Sequence, residues 1–322
     1  MSATDKLLFA LALTFISACD PEEVVGDPEE EAQFRCGFAT CPPPTGNTKW
    51  MGSLHPISPL DTTWSEYKGI TVESLVHNGE VALAFGATEG NLWADFDGPN
   101  GTVRRTGNAL VGAKFILNVA GEQKFLYIAS VAGWSPVDPY WRYGLLWDDD
   151  GDGIAHHPEE ACEEDEGNNS RKAIVHGGFD IDTETGDVVA RKNTVYFSCY
   201  RGAVGKAPLT SKGYGFRPSE LGLERFEAVL RFILADYCGD GNSWTENNTP
   251  IYYEDKYGIG EGGGTFTDAV WGLNGALCLG LQLRLYTYAD IECPDTAKPP
   301  LCASVQPQTL YSSLGIIWSR KP

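Results

Sequence analysis

The chain has 322 residues, of which 42% are hydrophobic and 21% charged, proportions that suit one large or two ordinary folded domains and exclude a disordered chain. Its 44 acidic against 24 basic side chains give a formal net charge of −20, which repels phosphate backbones and argues against a nucleic-acid partner. An acidic solvated face and cation binding both fit that charge.

The first predicted element is an apolar run, Leu7 to Ile16, preceded by Lys6 and, less typically for a leader, by Asp5. Spanning a bilayer takes about 20 apolar residues, so the run reads as an export signal rather than a permanent helix. It ends in Ile16-Ser17-Ala18-Cys19, which resembles the lipobox of bacterial lipoproteins. The resemblance implies a signal peptide over 1–18, acylation of Cys19 and cleavage before it. The other reading is an ordinary secretory peptide with a chance cysteine. Residues 19–34 follow as an acidic tether, in which Asp20 to Gln33 carry seven acids, two prolines and no base; self-repulsion keeps such a segment extended. No later stretch is apolar enough to cross a bilayer, so the expected membrane partner is reached through lipid alone. The expected location is the cell envelope, at the outer membrane or cell surface, with secretion as the alternative.

Residues 35–106 read as an irregular segment, rich in proline and glycine from Cys36 to Pro59, passing into β-structure. Branched and aromatic runs at Ile70–Val76, Val81–Phe85, Asn108–Val119, Lys124–Val131, Trp141–Trp147 and Thr194–Cys199 predict strands separated by glycine and asparagine turns. Lys114–Leu117 and Phe125–Ile128 read as neighbours joined through Ala120-Gly121-Glu122-Gln123.

After Trp147 comes an acidic turn. As a twelve-residue calcium loop it offers Asp148, Asp150 and Asp152 at positions 1, 3 and 5, Gly153 at the sharp turn, the Ile154 carbonyl at position 7 and Glu159 at position 12. Ala155 and Pro158 argue against a full EF-hand, so an isolated loop between strands is expected. Calcium is the one cofactor indicated; a solvated turn is the bland reading, as is exposure for His156 and His157. No nucleotide or organic cofactor is expected: Gly202 to Lys206 has the flavour of a phosphate loop but the wrong glycine spacing, and neither a Gly-x-Ser-x-Gly elbow nor a His-Glu-x-x-His motif occurs.

One main amphipathic helix is predicted near 219–237, from Pro218-Ser219-Glu220 to Tyr237, with Leu223, Phe226, Leu230, Ile233, Leu234 and Tyr237 on one face and Gly239 past the end. Arg225 and Arg231 fall off that face and are expected in solvent. Strand-like runs follow at Leu279–Tyr288 and Leu314–Trp318. With Cys19 lipidated, the eight remaining cysteines are an even set for disulfides: Cys36, Cys41, Cys162, Cys199, Cys238, Cys278, Cys293 and Cys302. Proximity favours Cys36–Cys41 and Cys293–Cys302; the remaining four then staple the main domain, with Cys162–Cys199 and Cys238–Cys278 as the expected pairs among the alternatives.

The helix end reads Leu234-Ala235-Asp236-Tyr237-Cys238-Gly239-Asp240-Gly241. It resembles the signature of the ADYC domain, a family of exported bacterial, notably myxobacterial, proteins of unknown function. Thr194–Cys199 with Gly202, Ala203 and Lys206, then Gly213-Tyr214, Ser243-Trp244-Thr245, Thr249-Pro250-Ile251, and Trp271 with Gly275–Cys278 resemble the flanking segments. The resemblance covers roughly Gly107 to Arg284. It implies export and a disulfide-bonded domain over 107–290, with 291–322 as a C-terminal extension, and it implies no reaction. It also implies that relatives carry two cysteines where this chain has Ala207 and Val229, a pair replaced here by small apolar side chains. Asp236 invites a catalytic reading, although an acid at a helix end more often bonds local backbone or a nearby arginine.

The expected fold is α+β but mainly β, with antiparallel, sandwich-like sheets, one helix and disulfide staples. The expected function is a non-catalytic surface binding or structural module with an extracellular or envelope partner. The alternative is an extracytoplasmic hydrolase acting on glycans or peptides, which requires convergent carboxylates or a Ser/His pair. A third reading is a module docking through an exposed apolar face.

Overall fold

The computed structural model describes residues 47–136, 138–149, 159–165, 170–210, 213–260 and 262–321. The expected signal peptide, Cys19, the tether, Cys36 and Cys41 lie outside these residues, as do Asp150, Asp152, Ile154, His156 and His157.

The chain is mostly β, and every pairing between its strands is antiparallel. The first sheet is built from β1 (Leu60–Asp61), β2 (Ile70–His77), β3 (Glu80–Thr88), β4 (Asn91–Phe96), β5 (Val103–Thr106), β6 (Lys114–Val119), β7 (Glu122–Ala132), β8 (Arg142–Asp148), β9 (Glu159–Glu160), β10 (Lys172–Ile181) and β11 (Val188–Cys199). Their order is β1-β11-β10-β8-β7-β6-β2-β3-β4-β5, with β9 beside β8. The period-2 side-chain rule decides what each strand buries. β4 shows it plainly: Leu92, Ala94 and Phe96 are buried while Asn91, Trp93 and Asp95 turn outward. The sheet folds over so that β3 and β4 pack across β10. Gly177 permits the approach, because a Cβ there would meet the Ala87 carbonyl oxygen at 2.0 Å. The enclosed core holds Leu75, Phe85, Phe115, Leu126, Leu145 and Phe197.

The second sheet contains β12 (Tyr252–Asp255), β13 (Phe266–Gly272), β14 (Gly275–Leu279) and β15 (Ile317–Lys321), in the order β12-β15-β13-β14. Among the described residues five short helices accompany the sheets: α1 (Ala203–Lys206), α2 (Pro218–Leu221), α3 (Leu223–Leu234), α4 (Cys302–Val305) and α5 (Pro307–Ser313). Helix α3 packs on β11 on one side and on β13, β14 and β15 on the other. Alternation in β11 feeds both cores: Val195 and Phe197 face the interior of the first sheet, while Tyr196 faces α3. Phe226, Val229, Leu230, Ile233, Trp271 and Ile317 complete the second core, and Ala207 and Val229 are both fully buried there. Pairing runs across residues 107 and 290: β2 pairs with β6, and β15 lies between β12 and β13.

Several sequence-based boundaries move. The predicted helix breaks at Gly222, whose φ of 78° with ψ of 159° is not helical, and ends at Leu234 because Ala235 turns left-handed (φ 53°). Tyr237 is therefore buried off the helix. Arg231, expected in solvent, is buried, whereas Arg225 is exposed. The Asn108–Val119 run begins as a 3-10 turn, and the strand proper starts at Lys114. Leu279–Tyr288 is not a strand: β14 ends at Leu279, and the chain leaves the sheet at Gly280. Strand β10 is absent from the sequence reading because its His176-Gly177-Gly178 centre looks like a turn; it forms a bulge instead.

Cysteine pairing also changes. Cys162–Cys199 forms as expected, but Cys238 joins Cys293, and Cys278 joins Cys302, in place of Cys238–Cys278 and Cys293–Cys302. A disulfide needs Cα atoms roughly 4.4–6.8 Å apart, and the fold supplies 5.4 and 4.9 Å for the observed pairs. The Leu279–Leu301 bridge brings Cys302 to Cys278 on β14, which leaves Cys293 beside the end of α3.

Candidate functional site

The last four carbonyls of an α-helix have no partner within the helix. In α3 this end is buried between the sheets, so each carbonyl must find a donor from elsewhere. The Arg231 carbonyl accepts from the Asp236 N–H at 2.9 Å. Phe232 accepts from Arg284 Nη2 at 2.5 Å, and Ile233 accepts from Arg284 Nη1 at 3.1 Å and from the Asn47 N–H at 3.2 Å. Leu234 accepts from Ser243 Oγ at 2.9 Å and from the Trp244 N–H at 3.2 Å.

The residues after the helix serve this arrangement. Ala235 supplies the left-handed cap. Asp236 is fully buried; it accepts from Arg231 Nη1 at 2.5 Å and from the N–H groups of Asp240 and Gly241 at 3.0 and 3.1 Å. Burial opposes the charge on Arg231, but Asp236 and Glu227 outweigh it and hold the guanidinium above its ordinary pKa. Asp236 thus bonds local backbone and a nearby arginine, the less exotic of its two readings. Tyr237 OH donates to Asp268 Oδ1 at 2.6 Å; burial first, then the Asp268 charge, pushes the phenol well above its usual range. Asp268 also accepts from the backbone N–H and Nε of Arg284, at 3.2 and 3.1 Å, and from Ser319 Oγ at 2.7 Å. Cys238 closes the set through its disulfide to Cys293. Asp268, Arg284 and Ser319 were not singled out in the sequence; no motif marks them, and they lie 31, 47 and 82 residues beyond Tyr237.

An open cleft of about 520 Å³ adjoins this helix end. Asp240 at the end of the signature lines it together with Ser243 and Trp244 from the loop that follows, and Tyr286, Glu292 and Cys293 line it from the opposite segment. The Trp244 and Tyr286 rings meet at 89° with centroids 5.7 Å apart. The Ser243 hydroxyl is held by the Leu234 carbonyl, and histidine is absent from the lining. The arrangement offers aromatic faces and carboxylates to a ligand but no nucleophile–base pair.

The expected calcium loop is described only at its ends. Asp148 closes β8, and Glu159 lies on β9 opposite Trp147. Directly paired residues share a face and sequence neighbours alternate, so Glu159 is on the face of Trp147 and Asp148 is on the other. Glu159 is exposed and reaches His55 Nε2 at 3.4 Å, while His55 stacks on Trp147. Among the described residues no group of three or more His, Cys, Asp or Glu is placed to hold a metal. The Gly202–Lys206 segment forms α1, and buried Lys206 pairs with Asp165 at 3.1 Å. Among the described residues no helix is long and apolar enough to cross a membrane.

His176 of β10 is buried among Tyr140, Phe179 and Phe226, with ring centroids 5.2–6.2 Å away. Burial lowers its pKa to about 3, against a smaller opposing contribution from the Val204 backbone.

The ADYC domain family model matches residues 107–284. No curated protein and no solved structure matches the chain. The matched span contains Asp236, Tyr237, Cys238, Asp268 and Arg284, whereas Cys293 lies beyond it.

Two stability predictions follow from these groups. Asp268→Ala leaves Arg284 as an uncompensated buried charge, which costs about 3–5 kcal/mol. Urea unfolding at pH 7 should show that loss, and a change below about 1 kcal/mol would mean that the cluster does not hold the helix end. For His176, the unfolded chain takes up a proton below about pH 6.5 and the native state does so only near 3. The unfolded state binds more protons in that window, so stability falls as pH drops from 6.5 towards 3, by up to about 1.4 kcal/mol per pH unit. His176→Gln should flatten the slope of unfolding free energy between pH 4.5 and 6.5 by about one proton; an unchanged slope would count against a buried neutral imidazole.

Proposed function

From the premise that this chain belongs to the ADYC domain family, we propose that it is an exported, non-catalytic binding module, tethered by lipid at Cys19, that holds an extracytoplasmic partner in the cleft beside its signature. The observation that carries this reading is the division of labour around α3. The reactive-looking groups of the signature, Asp236 and Tyr237, are engaged inside the protein, while Trp244, Tyr286, Asp240 and Glu292 line open space. The three disulfides among the described residues support an oxidising location. The lipobox-like sequence supports the anchor, and the acidic tether supports presentation away from a membrane.

The test is a screen of the oxidised protein against peptide and glycan arrays, alongside Tyr286→Ala. Retention of a ligand that is returned chemically unchanged, and loss of retention in the variant, are expected. Conversion of a retained ligand to cleaved products by mass spectrometry would replace this reading with the hydrolase.

The proposal extends to calcium at the Asp148–Glu159 turn. The density of acids there, from Asp148 to Glu159, supports it. Ligand binding to the native state raises its stability by mass action. Millimolar calcium should raise the melting temperature by several degrees relative to chelator, and changing Asp150 and Asp152 to Ala should abolish the rise. An unchanged melting temperature would reduce the turn to solvated surface.

A further inference from the structure

We infer that the cleft takes the ammonium group of a lysine side chain carried by a partner polypeptide, an inference that rests on the binding-module reading above. The aromatic geometry is the first argument. Trp244 and Tyr286 meet edge to face, at 89° with centroids 5.7 Å apart. The edge of one ring therefore covers part of the other's face, and the pair leaves limited flat area for a sugar ring to stack on, while a compact cation needs only one face. A compact cation is attracted by the face of each ring that it approaches. The lysine stem is a run of methylenes that lies along apolar surface while its charged end stays hydrated or paired.

Charge is the second argument. Asp240 and Glu292 belong to the same cleft. Asp240 Oδ1 accepts the Asn242 N–H at 3.0 Å, which fixes that carboxylate without neutralising it. Glu292 is exposed on the opposite margin. A net charge of −20 draws cations toward the surface as a whole, and these two acids give that attraction a local destination.

Rigidity is the third argument. The Cys238–Cys293 bridge joins the two margins, with Asp240 two residues after the first cysteine and Glu292 immediately before the second. Thr296 Oγ1 donates to the Cys238 carbonyl at 2.8 Å and ties the second margin down again. A site held in its binding shape loses less entropy on association. The volume, about 520 Å³, suits one side chain with its flanking backbone rather than a folded domain.

The experiment titrates the oxidised protein with a capped Gly-Gly-Lys-Gly-Gly peptide, the same peptide with norleucine in place of lysine, and a neutral chitotriose. Binding is read by calorimetry and by the Trp244 indole signal in nitrogen–proton correlation spectra, identified with Trp244→Phe. The comparison proteins are Tyr286→Ala and the double variant Asp240→Asn with Glu292→Gln; asparagine keeps the oxygen that accepts the Asn242 N–H. Melting temperatures within a degree or two of the parent confirm that the variants fold.

The expected result is binding of the lysine peptide only, weakened at least tenfold in both variants and further weakened by salt. Binding of chitotriose instead, lost in Tyr286→Ala, would overturn the cation inference and leave the cleft as a binding site. Equal binding of the lysine and norleucine peptides would also overturn it, in favour of an apolar ligand. Lysine-peptide binding that both variants retain unchanged would mark general attraction to an acidic surface and overturn it as well. No response of the Trp244 signal to any of the three probes would overturn the inference, and an empty array screen beside it would remove the binding-module reading too.

Discussion

The C-terminus of α3 is a helix end with nowhere to put its carbonyls. It lies between two sheets, out of reach of water, and the cost of an unmet buried carbonyl, about 1–3 kcal/mol each, must be avoided several times over. The chain meets this constraint with a guanidinium. Arg284 reaches the Phe232 and Ile233 carbonyls while Asp268 holds its Nε and backbone N–H. A cation at a helix C-terminus also complements the dipole. The arginine cannot be buried without Asp268, and Asp268 is in turn oriented by Tyr237 and Ser319, so one capping requirement recruits residues from α3, β13, β15 and the excursion after β14.

Much of the surrounding architecture follows from that requirement. The 280–288 excursion cannot continue β14 as a strand, because Arg284 must turn into the core. The loop after the signature must return to the helix, because Ser243 and Trp244 supply donors to Leu234. Two segments thus converge on one helix end from opposite sides, and the disulfide from Cys238 to Cys293 fastens them. The cleft is the space left between them. Cleft and structural cap are products of the same convergence, which explains why the family signature adjoins the cleft without contributing Asp236 or Tyr237 to its lining.

The signature letters divide their tasks accordingly. Alanine provides a left-handed turn, aspartate neutralises Arg231 one turn back, tyrosine anchors the Asp268 cluster, and cysteine crosslinks. Buried ionic groups with complete hydrogen bonding contribute less to net stability than to fixing one arrangement among competitors. Here they fix where the helix stops.

The sequence by itself determined what depends on local pattern. Alternation and branched residues located β2, β3, β7 and β8, the β6–β7 hairpin was readable through Ala120-Gly121, and threefold and fourfold spacing marked the buried face of α3. The even cysteine set implied disulfides, but which cysteines pair was left open by spacing, even where the expected Cys162–Cys199 bond forms. Tertiary structure alone decided the rest. Arg231 looked solvent-exposed because helical periodicity counts apolar residues and cannot see Asp236 turning back beyond the helix end. Cys238 and Cys278 looked like partners because sequence distance stood in for spatial distance, until the Leu279–Leu301 bridge assigned Cys278 elsewhere. Asp268, Arg284, Trp244 and Tyr286 form sites only once separate segments meet, since hydrogen bonds and ring contacts are set by distances of a few ångströms and a linear pattern does not encode those distances.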